Sequence, residues 1–169
     1  YFTSKFTDDN GLSTQKRIVL NERINDNSMD VFIFTNGIEE KLDLARAKAT
    51  SEFLALGDID GDYRDEIVFT ARGLNDGRYL ETIRGYKTNG DLVFKRTMSL
   101  FSTGSQIIAD LNNDRIEEII YKHNNALYIL NGNGDDFSEA WPKFLDLSNP
   151  EYGSSLTIGN FDEDNDLEI

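Results

Sequence analysis

Cysteine is absent from the 169 residues, which removes disulfide frameworks and thiolate metal sites together. That absence leaves the redox compartment open. Histidine occurs once, as His123, so zinc lacks its usual ligands. Basic residues are scarce: 17 Lys and Arg stand against 31 Asp and Glu, for a formal charge of −14. A surface of that sign repels nucleic acid and anionic membrane and attracts cations. No stretch approaches the ~18 apolar residues of a membrane span. The opening "YFTSKFTDDNG" has no apolar core of a signal peptide. No Gly-rich phosphate loop, H-E-x-x-H motif or Ser-His-Asp set is visible. The chain starts without Met and stops at "DLEI", so it reads as part of a longer protein.

What the chain does have is a repeated acidic loop. "DIDGDYRDE" (58–66) is followed by "IVF", "DLNNDRIEE" (110–118) by "IIY", and "NFDEDNDLE" (160–168) by Ile169. Each copy follows a short apolar run ending in a small residue: "FLALG", "QIIA" and "LTIG". Agreement before, within and after the loop marks a true repeat. A weaker copy, "ERINDNSMD" (22–30), keeps only Asp26 and Asp30 as acids in register.

Between the loops the pattern is that of strands. "EIVFT", "RYLETIRGYK" and "DLVFKRTMSL", then "EEIIYK", "ALYIL" and "DFSEAWPKF", are rich in β-branched and aromatic residues and bounded by turn residues. "TNGD" (88–91) predicts a hairpin of type I′. Only "EEKLDLARAKA" (39–49) competes as a short helix. With 38% hydrophobic residues a packed core is expected. Four strands per repeat of roughly 50 residues suggest the blades of a propeller.

The loop chemistry follows from its nine positions. Positions 1, 3 and 5 carry Asp58, Asp60 and Asp62, then Asp110, Asn112 and Asp114, then Asn160, Asp162 and Asp164. Position 9 is Glu66, Glu118 and Glu168. Oxygen ligands at 1, 3 and 5 with a backbone carbonyl at 7 suit Ca²⁺, which takes about six to eight oxygens. An EF-hand closes with Glu at position 12, where this chain has Phe69 and Tyr121, so that motif is excluded. Mg²⁺ favours a stricter octahedron with retained waters.

This spacing, Asp-x-Asp-x-Asp-Gly-x-x-Asp between two strands, resembles the FG-GAP or VCBS repeats of integrin-α-like β-propellers. The resemblance covers roughly residues 20–169. It implies an all-β fragment of about three four-stranded blades, with residues 1–169 forming part of one propeller domain. It implies that each loop joins the first and second strands of a blade and binds calcium. The side-chain ligands would be positions 1, 3, 5 and 9, with the carbonyls of Arg64, Ile116 and Asp166 at position 7. The sequence departs at position 6, where the family has Gly and this chain has Tyr63, Arg115 and Asn165. A left-handed backbone there costs a non-glycine residue roughly 1 kcal/mol.

Simpler readings compete with this one. One acidic loop alone is ordinarily a solvated turn; repetition in register argues for a shared ligand. Paired acids could serve glycoside hydrolysis, but catalysis needs one special site and the loops are alike. His123 in "KHNN" reads as a surface turn residue, and Trp141 in "AWPKF" as packing or, less readily, a sugar platform. The expected protein is therefore a secreted or cell-surface, calcium-stabilised propeller module that binds protein or carbohydrate. The alternative is the propeller scaffold, or an appended domain, of a secreted polysaccharide-degrading enzyme.

Overall fold

A computed structural model describes residues 2–7, 13–23, 28–35, 38–42, 54–75, 78–98, 106–123, 125–145, 156–160 and 169. Its described residues are all-β: twelve strands and no helix. The first four, β1 (Phe2–Thr7), β2 (Ser13–Arg23), β3 (Ser28–Thr35) and β4 (Ile38–Leu42), form one antiparallel sheet in chain order. The next four, β5 (Leu54–Gly57), β6 (Glu66–Asn75), β7 (Arg78–Tyr86) and β8 (Leu92–Met98), form a second. A third contains β9 (Gln106–Ala109), β10 (Glu118–His123), β11 (Ala126–Leu130) and the short β12 (Lys143–Phe144).

The acidic loops 58–66 and 110–118 each connect the first and second strands of a sheet, β5 to β6 and β9 to β10. The weaker copy at 22–30 does not. Arg23 pairs with Ser28 and Asn21 with Asp30, so residues 22–23 and 28–30 lie in the ladder between β2 and β3, while 24–27, with Asp26, lie outside the described residues. Residues 39–42 belong to β4, not to a helix, while 43–49 lie outside the described residues.

The β7–β8 turn also differs from expectation. Gly90 N donates to the Lys87 carbonyl (2.9 Å) and Lys87 N to the Asp91 carbonyl (2.8 Å). Of its central residues only Gly90 has positive φ, at 94°. A type I′ turn needs two such residues; this is a type I turn closed by a glycine bulge. The β11–β12 turn repeats it: Gly134 N donates to the Asn131 carbonyl (2.8 Å), Asn131 N to that of Asp135 (2.9 Å), and Gly134 has φ 84°. Lys87 and Asn131 are thus counterparts in successive sheets. The last expected strand, "DFSEAWPKF", shrinks to Lys143–Phe144 with one bridge between Leu130 and Asp136. Pro142 offers no N–H to a ladder.

The second and third sheets pack face to face. β10 alternates sides, as strand geometry requires. Ile119 and Tyr121 point into a core shared with Val68, Ile83, Phe94 and Met98 of the second sheet. Ile120 points the other way, with Leu127 and Ile129, against Leu156 and Ile158. Every residue of β10 is buried, as expected of a strand covered on both faces. Fully burying one such Ile contributes roughly 2 kcal/mol. Across the same interface Gln106 Nε2 donates to the Val68 carbonyl at 2.7 Å. His123 is not a surface turn residue. It is 4% exposed, and its Nδ1 lies 3.3 Å from Glu81 Oε2 across the two sheets.

Candidate metal centre

The two described loops, 58–66 and 110–118, are each wound around their first aspartate. Asp58 Oδ1 accepts from Gly61 N (2.7 Å) and Asp62 N (3.1 Å), and Oδ2 from Tyr63 N (2.7 Å). Asp110 does the same for Asp114 N (3.1 Å) and Arg115 N (2.9 Å). The winding demands left-handed backbone at positions 4 and 6. Gly61 (φ 79°) and Tyr63 (φ 64°) supply it in one loop, Asn113 (φ 60°) and Arg115 (φ 74°) in the other. Tyr63 and Arg115 therefore adopt the glycine-like conformation at position 6, at roughly 1 kcal/mol each. The three backbone donors on Asp58 and the two on Asp110 offset that cost. Position 5 closes each loop: Arg64 N donates to Asp62 Oδ1 (3.0 Å) and Ile116 N to Asp114 Oδ1 (2.8 Å).

In the 58–66 loop the acids converge. Ligand oxygens of Asp58, Asp60 and Glu66 all lie within 4.8 Å of one another, and this group could hold a metal ion. Among the described residues no other three acidic or histidine side chains come this close. Glu66 is 1% exposed and accepts from Ile59 N at 3.1 Å. Burial, and next the Asp60 carboxylate, push its pKa up to about 7. Asp62 stands outside the trio; Lys87 ties it to Asp60, with Nζ 2.6 Å from Asp60 Oδ2 and 2.8 Å from Asp62 Oδ2. The donors are oxygens throughout, which fits a hard cation.

The 110–118 loop has the same winding but different contents. Asn112 Oδ1 accepts from Asp114 N (2.9 Å), which fixes the direction of its amide nitrogen. That nitrogen donates to Asp114 Oδ2 (2.9 Å) and lies 3.5 Å from Glu118 Oε1. Glu118 also accepts from Leu111 N (2.8 Å), and burial raises its pKa. An amide thus stands where a cation would neutralise the acids. Beside it, a cavity of about 400 Å³ opens between the two loops, lined by Asp60, Asn112, Asp114, Glu118 and Asn131. Ile116 covers Gly61 of the neighbouring loop. In the third loop only Asn160 is described; Asp162, Asp164, Asp166 and Glu168 lie outside the described residues.

Two residues of this region carry no signal in the repeat. Glu117, at position 8, reaches back to the other loop: Asp58 N donates to its Oε2 (2.7 Å), and its own N donates to the Asp58 carbonyl (2.9 Å). A side chain on Gly57 would collide with Glu117 and Ile108, so glycine keeps this approach open. Lys87 is the other. It precedes a turn at the loop end of the sheet, and only that placement could have pointed to it. Trp141 packs on the outer core of the third sheet, with Lys143 Nζ 5.7 Å from its ring centre.

No family model matches the chain, and no curated protein matches it. No helix among the described residues is long and apolar enough to cross a membrane.

Proposed function

We propose that the chain is part of a calcium-stabilised β-propeller with FG-GAP or VCBS-type repeats, acting outside the cell as a module that binds protein or carbohydrate. The observation that carries the reading is the convergence of Asp58, Asp60 and Glu66 in a loop between the first and second strands of a four-stranded sheet. The second and third sheets, packed face to face and each with the same wound loop between its first and second strands, support the blade arrangement. Leu156 and Ile158 lie on the far face of the third sheet, where the first strand of a following blade belongs.

Calcium is the favoured ion because the donors are carboxylates, without nitrogen or sulfur. Asp58, Asp60 and Glu66 hold it, with Asp62 within reach once Lys87 moves aside. Its role is structural. It cancels the repulsion among the acids and adds its binding free energy to folding. Millimolar calcium outside the cell fills even weak loops of this type, which favours a place on a surface or in secretion.

The test is a pair of thermal melts, with EGTA and with millimolar calcium, alongside calorimetric titration. The melting temperature should rise with calcium in the wild type and rise less in Asp60→Asn. Identical melts with chelator and with calcium would overturn the metal reading.

A further inference from the structure

The β7–β8 and β11–β12 turns have the same hydrogen bonds, so Lys87 and Asn131 occupy one position in two sheets. Asn131 lines the cavity beside the 110–118 loop. Lys87 instead extends over the 58–66 loop and places its ammonium on two carboxylates at once. The two loops therefore engage their acids differently, one with the charge of a lysine from the adjoining turn and the other with a hydrogen bond from the Asn112 amide.

We infer that Lys87 is an internal counter-ion of the 58–66 loop, holding Asp60 and Asp62 together without metal and competing with a divalent ion for them. This rests on the metal reading given above. Asp60 is the point of conflict, because it belongs both to the converging trio and to the Lys87 pair. An ion bound to Asp60 at roughly 2.4 Å would lie close to the ammonium, and like charges at such separation repel strongly. Lys87 has an escape, since its side chain is 36% exposed and can swing into water. The loop is consequently closed in both states. Its affinity for the ion is lower than its acids alone would give, and calcium binds only where it is plentiful.

The experiment compares wild type, Lys87→Met and Lys95→Met by calorimetric calcium titration and by melting in EGTA. Lys95 is exposed on β8 and serves as the charge-matched control. Lys87→Met should bind calcium roughly tenfold more tightly, from removal of a nearby like charge, and should melt lower in EGTA. Lys95→Met should follow the wild type, because distant surface charges are screened. If Lys87→Met does not fold in EGTA, Lys87→Gln, which keeps an amide donor but no charge, should melt closer to wild type in EGTA and show the same gain in affinity. Unchanged affinity on loss of Lys87 overturns the inference and leaves the metal reading standing. An equal gain in Lys95→Met overturns it too, since the effect would then be one of net charge. Absence of calcium binding in wild type and Lys87→Met alike overturns the metal reading and the competition with it.

Discussion

Asp58 and Glu117 clasp each other across two sheets: the N–H of Asp58 donates to Glu117 Oε2 at 2.7 Å, and the N–H of Glu117 donates to the Asp58 carbonyl at 2.9 Å. Asp58 is also the hub of its own loop, through three further backbone donors. The clasp therefore fixes the first loop's hub to the second loop. Glu117→Ala leaves the part-buried N–H of Asp58 without its acceptor, at about 1–3 kcal/mol. Glu117→Gln keeps an acceptor oxygen and should cost less. Denaturant midpoints of the three proteins check the order. Equal midpoints would show that the clasp contributes nothing.

Gly132 makes a second, purely steric tie. A Cβ at this position would collide with the carbonyl of Ile59, which is backbone and cannot rotate away. Ile59 is itself 1% exposed and part of the shared core. Gly132→Ala should therefore force the third sheet's turn away from the first loop and destabilise by roughly 1–3 kcal/mol, the usual cost of overpacking. A thermal melt that matched the wild type would mean the turn yields freely.

What was legible in the sequence was what repeats locally. The loops and their placement between strands follow from short-range rules, while the left-handed backbone at Tyr63 and Arg115 was implied only by the glycine that the resembled repeats carry there. The 22–30 copy misled because its flanks, residues 22–23 and 28–30, belong to the ladder between the second and third strands of a sheet. Lys87, Glu117 and His123 were hidden for another reason. Each acts on a strand or loop distant in the chain, and local periodicity says nothing about which sheets face each other. His123 in particular looked like a turn residue from its neighbours, yet it is buried by Glu81, 42 positions away in sequence on the facing sheet.

The raised carboxyls set a pH dependence for the metal-free protein. Burial is the largest cause for Glu66, Glu117 and Glu118 alike, with nearby aspartates adding to it. Glu66 moves from 4.5 to about 7. A carboxyl harder to ionise in the folded chain costs nothing below its unfolded pKa, and its cost grows as pH rises through the interval. For Glu66 the full penalty, about 3 kcal/mol, is reached above pH 7. In EGTA the melting temperature should thus fall between pH 5 and pH 8, and Glu66→Gln should flatten that fall. With saturating calcium, the cation favours the ionised carboxylate and the fall should shrink. A melting temperature in EGTA that climbs over this range would contradict the assignment.

The two loops should also differ in how much they need calcium. The 58–66 loop offers three converging carboxylates, while in the 110–118 loop the Asn112 amide donates to Asp114 and lies near Glu118. Asn112→Asp exchanges that donor for a further carboxylate beside Asp110, Asp114 and Glu118. Without metal the new carboxylate faces Asp114 and the buried Glu118, so the variant should melt lower than wild type in EGTA. With metal the same carboxylate becomes a ligand, and more anionic ligands mean tighter calcium. The calcium-induced rise in melting temperature should therefore widen in Asn112→Asp and narrow in Asp60→Asn, which removes the corresponding charge from the first loop. Melts of the wild type and both variants, each with EGTA and with calcium, supply the comparison. If Asn112→Asp lost stability equally in both conditions, the 110–118 loop would be a wound turn that its own amide closes, with no place for an ion.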